Sequence, residues 1–222
     1  MRLTLLLGLL WIIHPACAQK EKETMIRDNT IFKAAAGNDT SAIKAAIARG
    51  EQLEEKDAQG RTPLMVATYH HHTAAAKLLT AAGANVNAQD QLLNSPFLYA
   101  GAEGYTDMVQ LYMPGADYKV YNRYGGSALI PACERAHLEV IAVLLADKNF
   151  PVDHINRLGW TALLEAVILG QGGAAHQQVV KMLIAAGANV NIADKDGVTP
   201  LQHALKRNYK EIVQMLQQAG AR

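Results

Sequence analysis

The chain has only two cysteines in 222 residues, Cys17 and Cys133. If Cys17 leaves with a cleaved leader, Cys133 stands alone, and an intramolecular disulfide is excluded. Charge of one sign is also missing. There are 21 basic and 20 acidic residues, and removing Arg2 with the leader makes the balance 20 to 20. No basic face of the kind that neutralises phosphates is signalled, which argues against a nucleic-acid partner. Long apolar runs are absent. The longest, from Leu3 to Ile13, is too short to span a bilayer core of about 30 Å as a helix, so a stable membrane anchor is not expected. The motifs of catalysis are lacking too. There is no serine elbow, cysteine–histidine pair, phosphate-cradling glycine loop or metalloprotease helix, and a non-enzymatic, cofactor-free chain is expected.

The Leu3–Ile13 run follows Arg2 and is followed by His14-Pro15 and then Ala16-Cys17-Ala18. This is the charged, apolar and small-residue layout of a secretory signal peptide, with cleavage expected after Ala18. Cys17 also invites a lipoprotein reading, against which His14 stands where an aliphatic residue belongs. Residues 19–27, with Lys20, Glu21, Lys22 and Glu23, read as a solvated flexible segment.

From residue 28 onward the chain is organised by repetition. A phrase recurs at Thr30-Ile31-Phe32, Thr62-Pro63-Leu64, Ser95-Pro96-Phe97, Ser127-Ala128-Leu129, Thr161-Ala162-Leu163 and Thr199-Pro200-Leu201, at steps of 32, 33, 32, 34 and 38 residues. Such a period means stacked supersecondary units that share one continuous core. Asp57 and Gly60, Asn122 and Gly125, Asn156 and Gly159, and Asp194 and Gly197 precede the phrase as turn signals. The Thr or Ser then serves as helix N-cap, with Pro fitting the first helical position. Alanine stands five residues after it in every copy: Ala35, Ala67, Ala100, Ala132, Ala166 and Ala204. Small residues in register imply close approach of neighbouring helices. A second amphipathic helix follows and ends at Gly83-Ala84, Gly115-Ala116 and Gly187-Ala188, where Gly is expected just past the helix.

Turn, capped helix, loop, second helix and glycine stop at this period resemble the ankyrin repeat. The resemblance implies an all-α solenoid of about six helix-turn-helix units with β-turn fingers, spanning 28–222. Its units are 28–56, 57–89, 90–121, 122–155, 156–193 and 194–222. It also implies protein binding through the fingers and first helices. Those positions hold Arg61, Tyr69, His70, Leu92, Arg123, Tyr124, Arg135, Arg157, Leu158 and Trp160. Tyr, Trp and Arg dominate interface energies. Arg123 and Arg157 favour a partner with acidic groups. Ankyrin stacks are mostly cytosolic or nuclear in eukaryotes, so an exported one points to the periplasm of a bacterium and a monomeric module for a protein partner.

Departures from the pattern are local. Leu93 replaces the turn glycine of the third unit, and Pro114 intrudes before Gly115. Pro131 falls in the first turns of a helix in the fourth unit. The fifth gains about five residues around Gly170-Gln171-Gly172-Gly173-Ala174-Ala175, expected to bulge from the edge opposite the fingers. His70-His71-His72 supports a second reading, a periplasmic metal-handling protein. Against it, three adjacent histidines on one helix end do not all face one ion. Glu134, Glu139 and Glu165 read as solvated or cap-related charges, and Cys133 as a small core residue.

Overall fold

A computed structural model describes residues 31–222. The expected signal peptide at 1–18, the segment 19–27 and Thr30 lie outside the described residues. Residues 31–36 are helical, followed by α1 (Thr40–Ala48), α2 (Pro63–Tyr69), α3 (Thr73–Ala81), α4 (Pro96–Glu103), α5 (Thr106–Tyr112), α6 (Leu129–Glu134), α7 (Leu138–Ala146), α8 (Ala162–Ile168), α9 (Ala174–Ala185), α10 (Pro200–Lys206) and α11 (Lys210–Gln218). No strand occurs among the described residues. Two rows form. First helices α2, α4, α6, α8 and α10 pack in sequence along one row, and second helices α1, α3, α5, α7, α9 and α11 along the other. The core runs without a break between the rows, and Ala35, Ala67, Ala100, Ala132, Ala166 and Ala204 are all fully buried in it.

The turn signature works as a single device. In each finger one side-chain oxygen accepts two backbone N–H groups. Asp57 Oδ1 takes those of Gln59 and Arg61, both at 2.9 Å. Asp90, Asn122, Asn156 and Asp194 repeat the pair. The bend demands a left-handed residue, supplied by Gly60, Gly125, Gly159 and Gly197; in the third finger Leu93 adopts φ 57° instead. Thr62, Ser95, Thr161 and Thr199 then cap their helices, with Thr199 and Gln202 forming a reciprocal capping box.

Ser127 does not cap, which corrects the expectation for the fourth unit. Pro131 lacks the N–H that would bond the Ser127 carbonyl, so α6 starts at Leu129; the buried Ser127 Oγ accepts no cap bond and has no hydrogen-bond partner among the described residues. Gly115 is a second correction. It ends a 3₁₀ turn, Met113–Gly115, rather than stopping an α-helix in the left-handed region taken by Gly83 and Gly187. Pro114 shortens α5 to seven residues against nine in α3 and α7.

The fifth-unit insertion is seated on its neighbours. Tyr209 donates its hydroxyl hydrogen bond to the Gly170 carbonyl at 2.9 Å, and a His176 ring nitrogen contacts the Glu134 carbonyl at 2.9 Å. Ala174 and Ala175 extend α9 to twelve residues. A Cβ on Gly172, which sits at φ 69°, would lie 2.4 Å from Tyr209 Cδ1. Gly172→Ala therefore combines a left-handed alanine with overpacking. We expect a loss of about 2–4 kcal/mol in urea unfolding, where a Gly173→Ala control, with open space around its Cβ but at the N-cap of α9, loses about 1 kcal/mol or less.

Candidate functional site

The sequence-selected residues divide into structural struts and exposed contacts. Arg61 turns back onto its own finger, its guanidinium 2.7 Å from Asp57 Oδ2. Tyr69 donates to Asp90 Oδ2 at 2.6 Å, accepts from Asn94, and packs against Tyr99 with ring centroids 4.3 Å apart and planes tilted by 56°. Burial and Asp90 push its hydroxyl pKa up to about 12. It ties α2 to the next finger. Arg135 donates to the Ala102 carbonyl and to Glu103 Oε1 at 2.7 and 2.8 Å, bridging α6 to α4. Arg157 donates to the Arg123 carbonyl at 2.8 Å, and its own carbonyl accepts from Lys195 Nζ, so three fingers are laced in a row. Trp160 is half-buried, and its N–H completes the Asn156 turn. Leu92, Tyr124 and Leu158 are exposed, and the Arg123 guanidinium lies 4.7 Å from the Tyr124 ring centroid.

The His70 and His72 rings stack with centroids 5.5 Å apart, and His71 is committed elsewhere. A His71 ring nitrogen lies 3.0 Å from Asp107 Oδ1 while its ring stacks on Tyr105 at 3.8 Å, and a His72 ring nitrogen contacts the Ala36 carbonyl at 3.0 Å. His71 occupies the left-handed position after α2, at φ 52°. These are turn and repeat positions. Among the described residues no three His, Cys, Asp or Glu side chains are grouped to hold a metal.

Between the fourth and fifth fingers the first helices leave a groove of about 180 Å³, lined by Tyr124, Ile130, Pro131, Leu158, Leu169, Asn122, Asn156, Glu134 and Glu165. A second groove of about 210 Å³ adjoins it, sharing Asn122, Tyr124, Pro131 and Glu134 and adding Arg123 and Arg135. Tyr124, Leu158 and Leu169 stand 53%, 48% and 47% exposed at the rim of the first. Three large apolar side chains ring one concavity rather than being scattered singly, which makes this groove the candidate contact surface.

Glu165 corrects the reading of solvated charge. It is only 5% exposed, in the first helix of the fifth unit. Val66, Tyr99, Pro131 and His203 hold the equivalent position four residues after the cap. Asn156 Nδ2 donates to Glu165 Oε1 at 2.9 Å, and in the sixth unit His203 makes the corresponding link to Asp194 at 2.7 Å. An Asp at 156 would set two carboxylates against each other, so Asn there suits Glu165. Burial first, and then the nearby Glu134 charge, raise the Glu165 pKa to about 7. Cys133, in the same first helix as Glu134, is fully buried, and burial pushes its thiol pKa upward. A charge at an inward-facing repeat position was the sequence signal for this site.

The comparisons with known proteins agree with the architecture. The ankyrin-repeat family model, in three copies, matches residues 5–90, 97–194 and 172–222. The putative ankyrin repeat protein YahD of Escherichia coli is 36% identical over 189 residues, covering 85% of this chain and 94% of that protein. The crystal structure of an ankyrin repeat domain from Acinetobacter baumannii is 50% identical with a TM-score of 0.85, covering 88% of this chain and all of that one. The ankyrin repeat protein EF0377 is 38% identical with a TM-score of 0.82, over 85% of this chain and 96% of that one. The chain belongs to the ankyrin-repeat family, whose stacks are protein–protein interaction modules. No helix among the described residues is long and apolar enough to cross a membrane.

The raised Glu165 pKa has a consequence for stability. An ordinary glutamate titrates near 4.5, so between that value and about 7 the folded chain binds this proton and the unfolded chain does not. Stability from this group is therefore complete below about pH 4.5 and is lost as pH rises through about 7. Glu165→Gln keeps an acceptor for Asn156 and removes the ionisation. Relative to wild type, the variant gains about 2 kcal/mol between pH 4.5 and pH 8 in urea unfolding, discounted because the carboxyl borders an open groove.

Proposed function

We propose that the chain is a non-enzymatic, monomeric binding module, exported to the periplasm, that docks a protein partner on the concave face of its fourth and fifth units. The observation that carries this reading is the ring of Tyr124, Leu158 and Leu169 around one groove between adjacent fingers. Tyr124 and Leu158 ride on fingers fixed by Asn122 and Asn156. Little ordering entropy then remains to oppose binding, since the surface is formed in advance. Arg123, beside the Tyr124 ring, adds a cation at the rim.

Export rests on Arg2, the apolar run Leu3–Ile13 and the small residues Ala16-Cys17-Ala18. Partners that suit an exported stack without catalytic machinery are an envelope-acting toxin to be neutralised or an exported enzyme to be supported. Metal handling is the weaker reading, because the His71 and His72 ring nitrogens already meet Asp107 and the Ala36 carbonyl.

Capture of envelope proteins on the purified chain, with mass spectrometry of what is retained, tests this function. We expect a product beginning at Gln19 and one specifically retained protein. Tyr124→Ala with Leu158→Ala should weaken its retention by a factor of about ten or more, as the loss of two buried contact side chains does. Lys181→Ala on α9, in the second-helix row, should leave it intact. Equal retention by the wild type and the Tyr124/Leu158 variant would sink the proposed surface.

A further inference from the structure

The groove is largely apolar, with two neighbouring acids among its lining residues. Glu134 and Glu165 both line it, and neither enters an ion pair among the described residues. The nearby cations are engaged elsewhere: Arg135 with Glu103, Arg157 with the Arg123 carbonyl, and Arg123 against the face of Tyr124. One Glu165 oxygen accepts from Asn156, and no hydrogen bond to the other is found among the described residues. Burying an acid without a cation is costly, and here that cost is visible as a carboxyl that resists ionisation.

Resting on the docking surface proposed above, we propose that this groove takes an arginine side chain presented by the protein partner. The aliphatic stem lies along Ile130, Pro131, Leu158 and Leu169, the guanidinium passes the Tyr124 ring, and its N–H groups meet Glu165 and Glu134. Three features fit this occupant together. The walls match an apolar stem, as long cationic side chains bury their methylenes while keeping the head polar. Tyr124 is exposed at the rim, and with Arg123 over one face of its ring the other is left for the partner's guanidinium, which stacks on an aromatic better than ammonium does. Two acidic side chains at one end match a planar donor with several N–H groups. An acidic anchor is excluded by the same carboxylates, so the acidic groups favoured by Arg123 belong at the rim of the contact.

The test uses the purified full chain and two synthetic peptides that differ at one central residue, arginine or its neutral isostere citrulline, in a glycine-serine context. Binding is followed by amide chemical shifts of Asn156, Glu165 and Leu169. The arginine peptide should bind about ten-fold or more tightly than the citrulline peptide, the scale of one charge-assisted pair. Glu165→Gln, checked for native dispersion of its spectrum, should abolish that preference, and Glu134→Gln should reduce it. Equal affinities for the two peptides would overturn the arginine anchor, as would an arginine preference that survives both Gln variants. These outcomes are separable from failure of the docking surface. A captured partner lost with Tyr124→Ala and Leu158→Ala but unaffected by Glu165→Gln leaves the surface standing and removes the anchor.

Discussion

One side-chain oxygen per unit places everything on the concave face. By accepting two backbone N–H groups, Asp57, Asp90, Asn122, Asn156 and Asp194 each close a finger. The closed finger delivers the chain to its N-cap, a Thr or Ser in four units, and five residues after that position an alanine is fully buried in every unit. Fingers also bond to fingers directly, as Gln91 N–H does to the Gln59 carbonyl and Arg157 N–H to the Tyr124 carbonyl. Local turn chemistry thus becomes a surface extending over several units, which no single unit could hold alone.

The fourth and fifth units relax this order around one place. Pro131 removes the first bond of α6, Ser127 Oγ is left buried without a partner, and Glu165 puts an acid where other units carry Val66 or Tyr99. Pro131 and Glu165 both line the groove that Tyr124 and Leu158 rim. Departures from local consistency that gather at one concavity are what the proposed docking surface would leave in the sequence. The insertion in the fifth unit is different in kind. It follows Leu169 directly at the C-terminal end of α8, and its packing against Tyr209 braces it on the sixth unit.

Much of this was legible from residues alone, because the fold is written in short-range chemistry. Turn Asp and Asn, left-handed Gly, capping Thr and buried Ala each act within a few residues, and repetition places them in register. The effect of Pro131 on its helix could be read in the same way, since a missing N–H is a local fact. What sequence hid was long-range commitment. Arg61, Arg135 and Arg157 look like free contact residues until Asp57, Glu103 and the Arg123 carbonyl are found beside them. Glu165 looked solvated because carboxylates usually are, although its inward repeat position was visible.

A protein partner seated between the fourth and fifth fingers, as proposed, can be trapped in place. Site-specific photo-crosslinking in living cells does this, with a photoreactive phenylalanine placed at Leu158 in one strain and at Lys181, in the second-helix row, in another. One discrete adduct is expected from position 158 and none from position 181. An adduct from 181 with none from 158 would put the partner on the opposite face and contradict that seating.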